Sequence, residues 1–416
     1  MVLTGRRHLQ LITRGTPDYR RLRFALFLAG FATFSMLYCV QPLLTVFGDD
    51  FHVGAAGASL ALSLSTGFLS VSILCTTPLA SWFGRKRIMG ISMVLAALCN
   101  VAASAAPGWD SLLVIRAIEG IVLGGVPAVA MAHLSEEIHP GDLGAVMGLY
   151  VGGTAFGGMA GRVGTAFVAD YAGWRVGLLV SGLFCLLAAV LFLVLLPPAR
   201  MAPPRRAGSM SSFGNVAAWG RHVRDPGMGG LFLTGFLAMG AFVTIYNYLG
   251  FRLLRPPFSL SQGESGALFM VYLFGILASP LAGRISSRVG RGPVLVAAQM
   301  CGLVGVALTL LPSLMATMAG LAMVTVGFFA AHAIASAWVG QRARVDKGHA
   351  ASLYLLAYYL GSSVMGSIGG WFWSKDHWPG VAAFAAALLG VGLVTALLLW
   401  AAAHRSGRVG EVQPMN

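Results

Sequence analysis

Residues 174–196, WRVGLLVSGLFCLLAAVLFLVLL, carry a single charged side chain, Arg175, near their start. An α-helix rises about 1.5 Å per residue, so about 20 residues cross a hydrocarbon core of about 30 Å. Pro197 and Pro198 follow at once and end the apolar run. The segment is therefore predicted to be a transmembrane helix.

The rest of the chain has the same character. Of its 416 residues, 57% are hydrophobic and only 10% are charged, and there are 55 glycines. A soluble domain averages about 25% charged residues, so this composition excludes an ordinary soluble enzyme and a disordered or fibrous chain. The sequence predicts an integral, all-α membrane protein.

The net charge of +14 does not indicate nucleic-acid binding. Lys and Arg fall in short runs between apolar stretches, and no soluble basic module is present to bind a nucleic acid. The surface of the lipid bilayer is their expected partner. The five cysteines lie inside apolar stretches without paired spacing or a nearby histidine cluster, so we expect no disulfide, metal site or cofactor.

Charge-poor runs of suitable length predict twelve transmembrane helices. Their approximate ranges are 24–46, 57–80, 88–106, 111–133, 143–166, 174–196, 228–250, 264–282, 293–311, 314–339, 350–371 and 380–403. If the N-terminus is cytoplasmic, 22 of the 28 Lys and Arg residues lie in cytoplasmic loops and tails, and only Arg175, Arg252, Arg255 and Lys375 lie on the opposite face. This bias predicts that both termini are cytoplasmic.

The predicted domain organisation is two six-helix bundles. A basic tail spans residues 1–23, the bundles span 24–196 and 228–403, and a short tail spans 404–416. The polar segment 197–227 is predicted to be a cytoplasmic linker with a short amphipathic helix near 213–222. Similar basic turns follow the second span of each half, at 78–86 and 280–291, which indicates an internal duplication.

These turns resemble the cytoplasmic signature of the major facilitator superfamily of secondary transporters, and the resemblance covers nearly the whole chain. The matching residues are Gly84, Arg85 and Lys86 in the first half, and Gly283, Arg288, Gly290 and Arg291 in the second. Thr77, Ser81, Trp82 and Ser287 depart from the family pattern. The resemblance implies two bundles related by a pseudo-twofold axis and a gating role for these turns, although the carboxylates of the family's charge lock are missing.

A second signature lies in the fifth span, where Gly144, Gly153, Gly157 and Gly161 match a pattern of the superfamily's drug:proton antiporters. Gly158 replaces the proline of that pattern. The segments GGMAGR (157–162), NYLGFR (247–252) and PFSLS (257–261) are similar to a YnfM-like bacterial branch, which implies a multi-pass protein of the bacterial inner membrane. The glycines themselves predict a close and sliding helix contact, although glycine is common in every membrane helix.

Arg116 and Glu119 are the strongest candidates for proton coupling. At i and i+3 they share one face of the fourth span, and interior charges in membrane helices often mark ion or substrate paths. Arg116 matches the arginine of a fourth-span family signature that is associated with proton transfer or its electrostatic control, with Glu119 in place of glutamine. The alternative is an ion pair that only fixes the helix.

Candidates for substrate contact lie in spans 1, 7 and 10, which the resemblance places around a central cavity. They are Tyr38, Gln41, Tyr246, Asn247 and His332. Pro42 is expected to kink the first span. His332 is equally compatible with a packing role. Arg162, near the outer end of the fifth span, is interpreted as snorkelling to the interface.

The sequence therefore predicts a proton-coupled exporter of a small organic or amphipathic compound, functional as a monomer. An importer or uniporter of the same fold is the alternative. No phosphate-binding loop, no hydrolase or zinc-protease motif and no pair of interior carboxylates occurs in the sequence, which argues against an ATP-driven pump and an intramembrane enzyme. The predicted partners are a small-molecule substrate, protons and lipid, and not nucleic acid.

Overall fold

The computed structural model describes residues 11–198 and 212–410 and is helical throughout apart from turns and one isolated bridge. The ends of both predicted tails (1–10 and 411–416) and most of the predicted linker (199–211) lie outside these residues. The helices are α1 Pro17–Tyr38, α2 Leu44–Asp50, α3 Ala55–Phe83, α4 Arg85–Ser104, α5 Trp109–Leu123, α6 Pro127–Glu137, α7 Pro140–Ala172, α8 Trp174–Leu195, α9 Ser212–Val223, α10 Pro226–Leu253, α11 Gln262–Ala267, α12 Tyr272–Val289, α13 Arg291–Leu308, α14 Leu314–Arg342, α15 Lys347–Leu360 and α16 Gly366–Gly410. The helix expected near 213–222 is confirmed as α9.

Ten helical stretches of the described residues are long and apolar enough to cross a membrane. The predicted fourth span is missing from this set because a break at residues 124–126 divides it into α5 and α6. The predicted spans 11 and 12 fall within one stretch, Lys347–Arg405, in which Asp376 and His377 are not helical. The count of twelve stays a prediction.

The two halves share the same backbone geometry at their helix junctions. A single left-handed glycine joins α3 to α4 at Gly84 (φ 84°) and α12 to α13 at Gly290 (φ 87°). Gly173 (φ 83°) joins α7 to α8, and the corresponding turn within α16 is made by His377 (φ 50°). Because L-residues with a side chain rarely adopt positive φ, glycine at the two basic turns is a backbone requirement. The junctions support the internal duplication.

The first span is interrupted, as expected from Pro42. Helix α1 ends at Tyr38, and a 3₁₀ turn at Gln41–Leu43 leads into α2. Proline has no N–H group to donate to the carbonyl one turn earlier, so the α-helical hydrogen bonding of α1 is interrupted at this point. The interruption lies in the buried interior, because Tyr38, Cys39 and Gln41 are all buried.

The glycines of α7 pack against α1 of the same half. A Cβ atom at Gly153, Gly157 or Gly161 would lie 2.7 Å or less from the main-chain oxygen of Phe27, Phe31 or Ser35. These three positions are four residues apart and form one groove. Gly144 differs, because open space surrounds its Cβ position. The close contact that was expected from Gly144 to Gly161 is therefore limited to the last three glycines.

The halves meet at the end of the molecule that lies opposite the linker. This end contains α2 and α11 and is called the distal end below. Here the Gln262 amide donates to the Pro42 carbonyl, and the Ser261 hydroxyl donates to Asp170 at 3.1 Å. Nearer the middle, the Ser363 hydroxyl donates to the Ser63 carbonyl at 2.7 Å. Contacts between halves thus close the distal end.

At the opposite end, polar contacts organise each half separately. Asp225 caps α10 and accepts two hydrogen bonds from Arg342, at 2.9 and 2.7 Å. The hydrogen bond from Arg342 holds the pKa of Asp225 below its usual range. Ile12 pairs with Ile138 in a parallel bridge, which attaches the start of the described chain to the loop before α7.

We expect Gly157→Ala to destabilise the protein by about 1–3 kcal/mol, because the added methyl group would lie 2.1 Å from the Phe31 carbonyl oxygen and force α1 and α7 apart. Gly152→Ala, in the same helix but with open space around its Cβ, is the matched control. It should be neutral or slightly stabilising. Thermal unfolding of both variants in detergent tests this packing, and equal melting temperatures would contradict it.

Candidate functional site

Arg116 is a fully buried cation at the centre of the N-terminal bundle. Its Nη1 donates to Glu119 Oε2 at 2.5 Å, and neither side chain is exposed (0% for both). Its Nη2 donates to the Leu37 carbonyl at 2.9 Å and its Nε to the Ala61 carbonyl at 2.9 Å. Nη1 also lies 3.4 Å from the Met36 carbonyl. Arg116 therefore ties α5 to α3 and to the last turn of α1.

The contacts of Arg116 with α1 explain how this helix can be interrupted inside the protein. The last carbonyls of a helix have no intrahelical partner, and in an apolar interior each unsatisfied group costs free energy. Met36 and Leu37 lie in the last turn of α1, and Arg116 supplies the donors. A cation at the C-terminal end of a helix also has favourable electrostatics.

Glu119 has only one satisfied oxygen. Oε2 accepts from Arg116, whereas Oε1 is buried without a hydrogen-bond partner. The next residue, Gly120, packs so closely on α3 that a Cβ would lie 2.3 Å from the Ser65 carbonyl oxygen. The Ser65 hydroxyl donates to the Arg116 carbonyl at 2.8 Å. The carboxylate is thus held rigidly with one oxygen available for a proton.

The structure contradicts the interfacial interpretation of Arg162. Its side chain is 1% exposed and points into the contact between the halves. Nε donates to Gln41 Oε1 at 2.5 Å and Nη1 to the Gly158 carbonyl at 2.7 Å. The guanidinium carbon lies 4.0 Å from the centre of the Tyr38 ring, with the rings of Phe269 and Tyr272 at 5.3 and 4.7 Å. The interpretation from the sequence therefore gave the wrong direction for this side chain.

Gln41 extends this cluster across the contact between the halves. Its Nε2 donates to Asn247 Oδ1 at 2.7 Å, so Arg162, Gln41 and Asn247 form one hydrogen-bonded chain from α7 through the 3₁₀ turn to α10. Asn247 is 1% exposed, and its Nδ2 has no hydrogen-bond partner. The predicted candidates Tyr38, Gln41 and Asn247 are therefore brought together, and Arg162 joins them.

Tyr246 and His332 lie elsewhere within the C-terminal bundle. The Tyr246 hydroxyl contacts Thr325 Oγ1 at 2.7 Å, and its ring centre lies 5.2 Å from that of Phe269. His332 Nδ1 lies 3.0 Å from the Tyr354 hydroxyl, and its ring centre lies 4.6 Å from that of Tyr358. Tyr246 thus borders the Arg162 cluster directly, whereas His332 is connected to it indirectly, through the stacked rings of Phe328 and Phe242.

The predicted gating turns make different contacts in the two halves. Arg85 pairs with Glu136 and donates to the Ala132 carbonyl, and Lys86 donates to the Leu196 carbonyl, all within the N-terminal half. In the second half Gly283, Arg288 and Gly290 are exposed and Arg291 is partly exposed at the start of α13. The gating role of these turns stays a prediction.

Comparison with known proteins gives a consistent family. The family model described as "Major Facilitator Superfamily" matches residues 26–255 and 251–414. The chain is 44% identical to the inner membrane transport protein YnfM of Escherichia coli over 95% of this chain and 93% of YnfM. It is 43% identical to the uncharacterized MFS-type transporter YybF of Bacillus subtilis over 93% of each chain.

Among solved structures, the fold is similar to that of a bacterial homologue of the human lysosomal transporter Spinster in an inward-facing, occupied conformation. The TM-score is 0.71, with 94% of this chain and 98% of that chain covered, at 16% sequence identity. This likeness shows the fold alone. No group of three or more His, Cys, Asp or Glu residues that could hold a metal ion occurs in the part of the chain that the structure describes.

We expect Arg116→Met to cost about 3–5 kcal/mol of stability, because it leaves Glu119 as an unpaired buried charge and removes the donors for α1. Glu119→Gln also leaves a buried charge without a counterion, but it should cost less, because a glutamine carbonyl can still accept from Arg116 while the other three bonds of Arg116 remain. Thermal unfolding in detergent measures the difference. Equal losses would show that the contacts of Arg116 with α1 and α3 contribute little.

Proposed function

Because the chain belongs to the major facilitator superfamily, we propose that it is a proton-coupled secondary transporter that exports a small organic or amphipathic compound by alternating access. The family and the relatives are membrane transporters, so the protein is a multi-pass transporter and not an enzyme. The direction, the coupling ion, the location in a bacterial inner membrane, the cytoplasmic termini and function as a monomer belong to the proposal.

The observation that carries proton coupling is the buried pair of Arg116 and Glu119. A carboxylate with one unsatisfied oxygen in an apolar interior is costly in its charged form, and protonation relieves that cost. Arg116 opposes protonation through its bond to Oε2. Two opposing influences of this kind allow a residue to gain and lose a proton when its surroundings change during transport.

The membrane potential and the pH gradient supply the work in this proposal. One elementary charge moving through 100 mV supplies about 2.3 kcal/mol, enough for roughly fifty-fold accumulation of a solute. The fifth-span glycine groove supports export, because it matches the exporters' signature at Gly153, Gly157 and Gly161 and packs α7 closely on α1. The relative named YnfM supports a bacterial inner-membrane location.

Import or uniport by the same fold is the second candidate. Gly158 stands where the exporters' signature has proline, and its carbonyl accepts a hydrogen bond from Arg162. A helical proline would remove a main-chain hydrogen bond and kink α7 at this point. Because α7 of this chain has no proline at this position, its movement can differ from that of the exporters.

Proteoliposomes of known orientation, loaded with a pH-sensitive dye, test the proposal. Sugars, amino acids, organic acids and cationic drugs are added at two pH values, and an active solute should move protons in the opposite direction to itself. Glu119→Gln should reduce solute-driven proton flux to the leak of empty vesicles. Asp49→Asn, the corresponding change at an exposed carboxylate, should retain it. Proton-coupled flux that survives in Glu119→Gln would remove Glu119 from the coupling role.

A further inference from the structure

Arg162 carries a buried positive charge that the protein does not balance. None of the ion pairs within 4 Å among residues 11–198 and 212–410 includes Arg162, whereas Arg116 has Glu119 as its partner. A cation inside a membrane protein is costly unless it is paired, and such residues usually have a functional reason to remain. The contrast between the two arginines points to a partner that comes from outside the chain.

The acceptors that Arg162 now uses are neutral. They are the side-chain oxygen of Gln41 and the main-chain oxygen of Gly158. A carboxylate is a stronger acceptor than a carboxamide for a guanidinium and matches its planar fork with two parallel bonds. Because the Gln41 side chain is uncharged and can change its rotamer, an incoming carboxylate can replace it as the acceptor of Arg162 without leaving an unpaired charge behind.

The surroundings of the guanidinium also select for an apolar body. The rings of Tyr38, Phe269 and Tyr272 lie around Arg162 and come from both halves. The unpartnered Nδ2 of Asn247 provides a further buried donor, two hydrogen bonds along the chain from Arg162. Donors and aromatic faces are present together, and no described carboxylate pairs with the guanidinium. This combination suits an anion attached to an aromatic or aliphatic group.

We propose that the transported compound is an organic carboxylate with an aromatic or otherwise apolar body, and that its carboxylate binds Arg162. This inference rests on the proposed transport function and names the substrate class. The C-terminal half supplies Phe269 and Tyr272, so separation of the halves at the distal end uncovers the guanidinium to solute from that side. When the halves close again, the rings and the Gln41–Asn247 bond enclose the site.

Binding is tested with the full chain in detergent by thermal shift against matched sets of aromatic carboxylates, carboxamides and amines, such as naphthoate, naphthamide and naphthylmethylammonium. Carboxylates at millimolar concentration should stabilise the wild-type protein, and their amide and amine counterparts should not. Arg162→Gln should weaken carboxylate binding by roughly ten- to hundred-fold, as expected for loss of charged hydrogen bonds. Arg162→Lys, which keeps the charge but loses the fork, should be intermediate.

Arg252→Gln is the control, because Arg252 lies near the distal end but binds the Thr309 and Leu311 carbonyls within its own half. It should bind carboxylates as the wild type does. Stabilisation by amines or amides alone, no stabilisation by any carboxylate, or unchanged affinity in Arg162→Gln would each overturn the proposal. If Arg162→Gln does not fold, the test is whether carboxylates stabilise the wild type more than amines do, and whether Arg162→Lys reduces that difference.

Flux measurements separate this inference from the proposed function. Proton flux driven by a cationic or neutral solute, without any driven by carboxylates, would refute the substrate class while leaving the transporter intact. A protein that moves no solute of any charge in proteoliposomes would refute the proposed function itself.

Discussion

The interruption of α1 at Tyr38–Pro42 is the constraint on which the rest of the site depends. A membrane interior offers no water to main-chain groups, so a broken helix must find its partners within the protein. Arg116 supplies them by donating to Met36 and Leu37, and this requires a charged side chain where lipid would exclude one. Glu119 balances that charge, and the close packing of Gly120 on Ser65 holds both in place. The same interruption turns Gln41 toward the other half, so a local break in one helix creates one of the contacts between the bundles.

Much of this was predictable from local spacing. The separation of three residues between Arg116 and Glu119 places both on one helix face, and Pro42 predicts the break after α1. The left-handed junctions at Gly84 and Gly290 follow from two similar basic turns in the sequence. Arg162 was misinterpreted because position along a helix gives depth but not direction, and its partners Phe269 and Tyr272 lie in the other half. Gly144 was included with the other glycines because it matches the fifth-span signature, but it lies nine residues before Gly153 and so faces a different side of α7, where open space surrounds its Cβ position.

The two buried arginines contact the same short segment from different sides. Arg116 binds its carbonyls at Met36 and Leu37, and Arg162 contacts the Tyr38 ring and the Gln41 side chain. Any change in charge state or occupancy at one arginine that shifts this segment alters the free energy at the other, and thermodynamic linkage makes the effect reciprocal. The proposed proton site and the proposed solute site are thus joined by the short segment Met36–Gln41, so the coupling proposed here needs no long pathway between them.

The ion pairs Arg85–Glu136 and Arg116–Glu119 lie within the N-terminal half, and Arg221–Asp346 and Arg342–Asp225 join the linker to the C-terminal half, so none of these four pairs lies at the distal end. The halves are held by amide, hydroxyl and carbonyl groups, by the bond from the Ser261 hydroxyl to the Asp170 carboxylate, and by the rings over Arg162. Water can replace hydroxyl, amide and carbonyl partners as the halves separate, whereas a salt bridge between the halves would expose two unpaired charges and respond to dissolved salt. Separation of the halves at the distal end is therefore expected to depend less on ionic strength than separation against a salt bridge would.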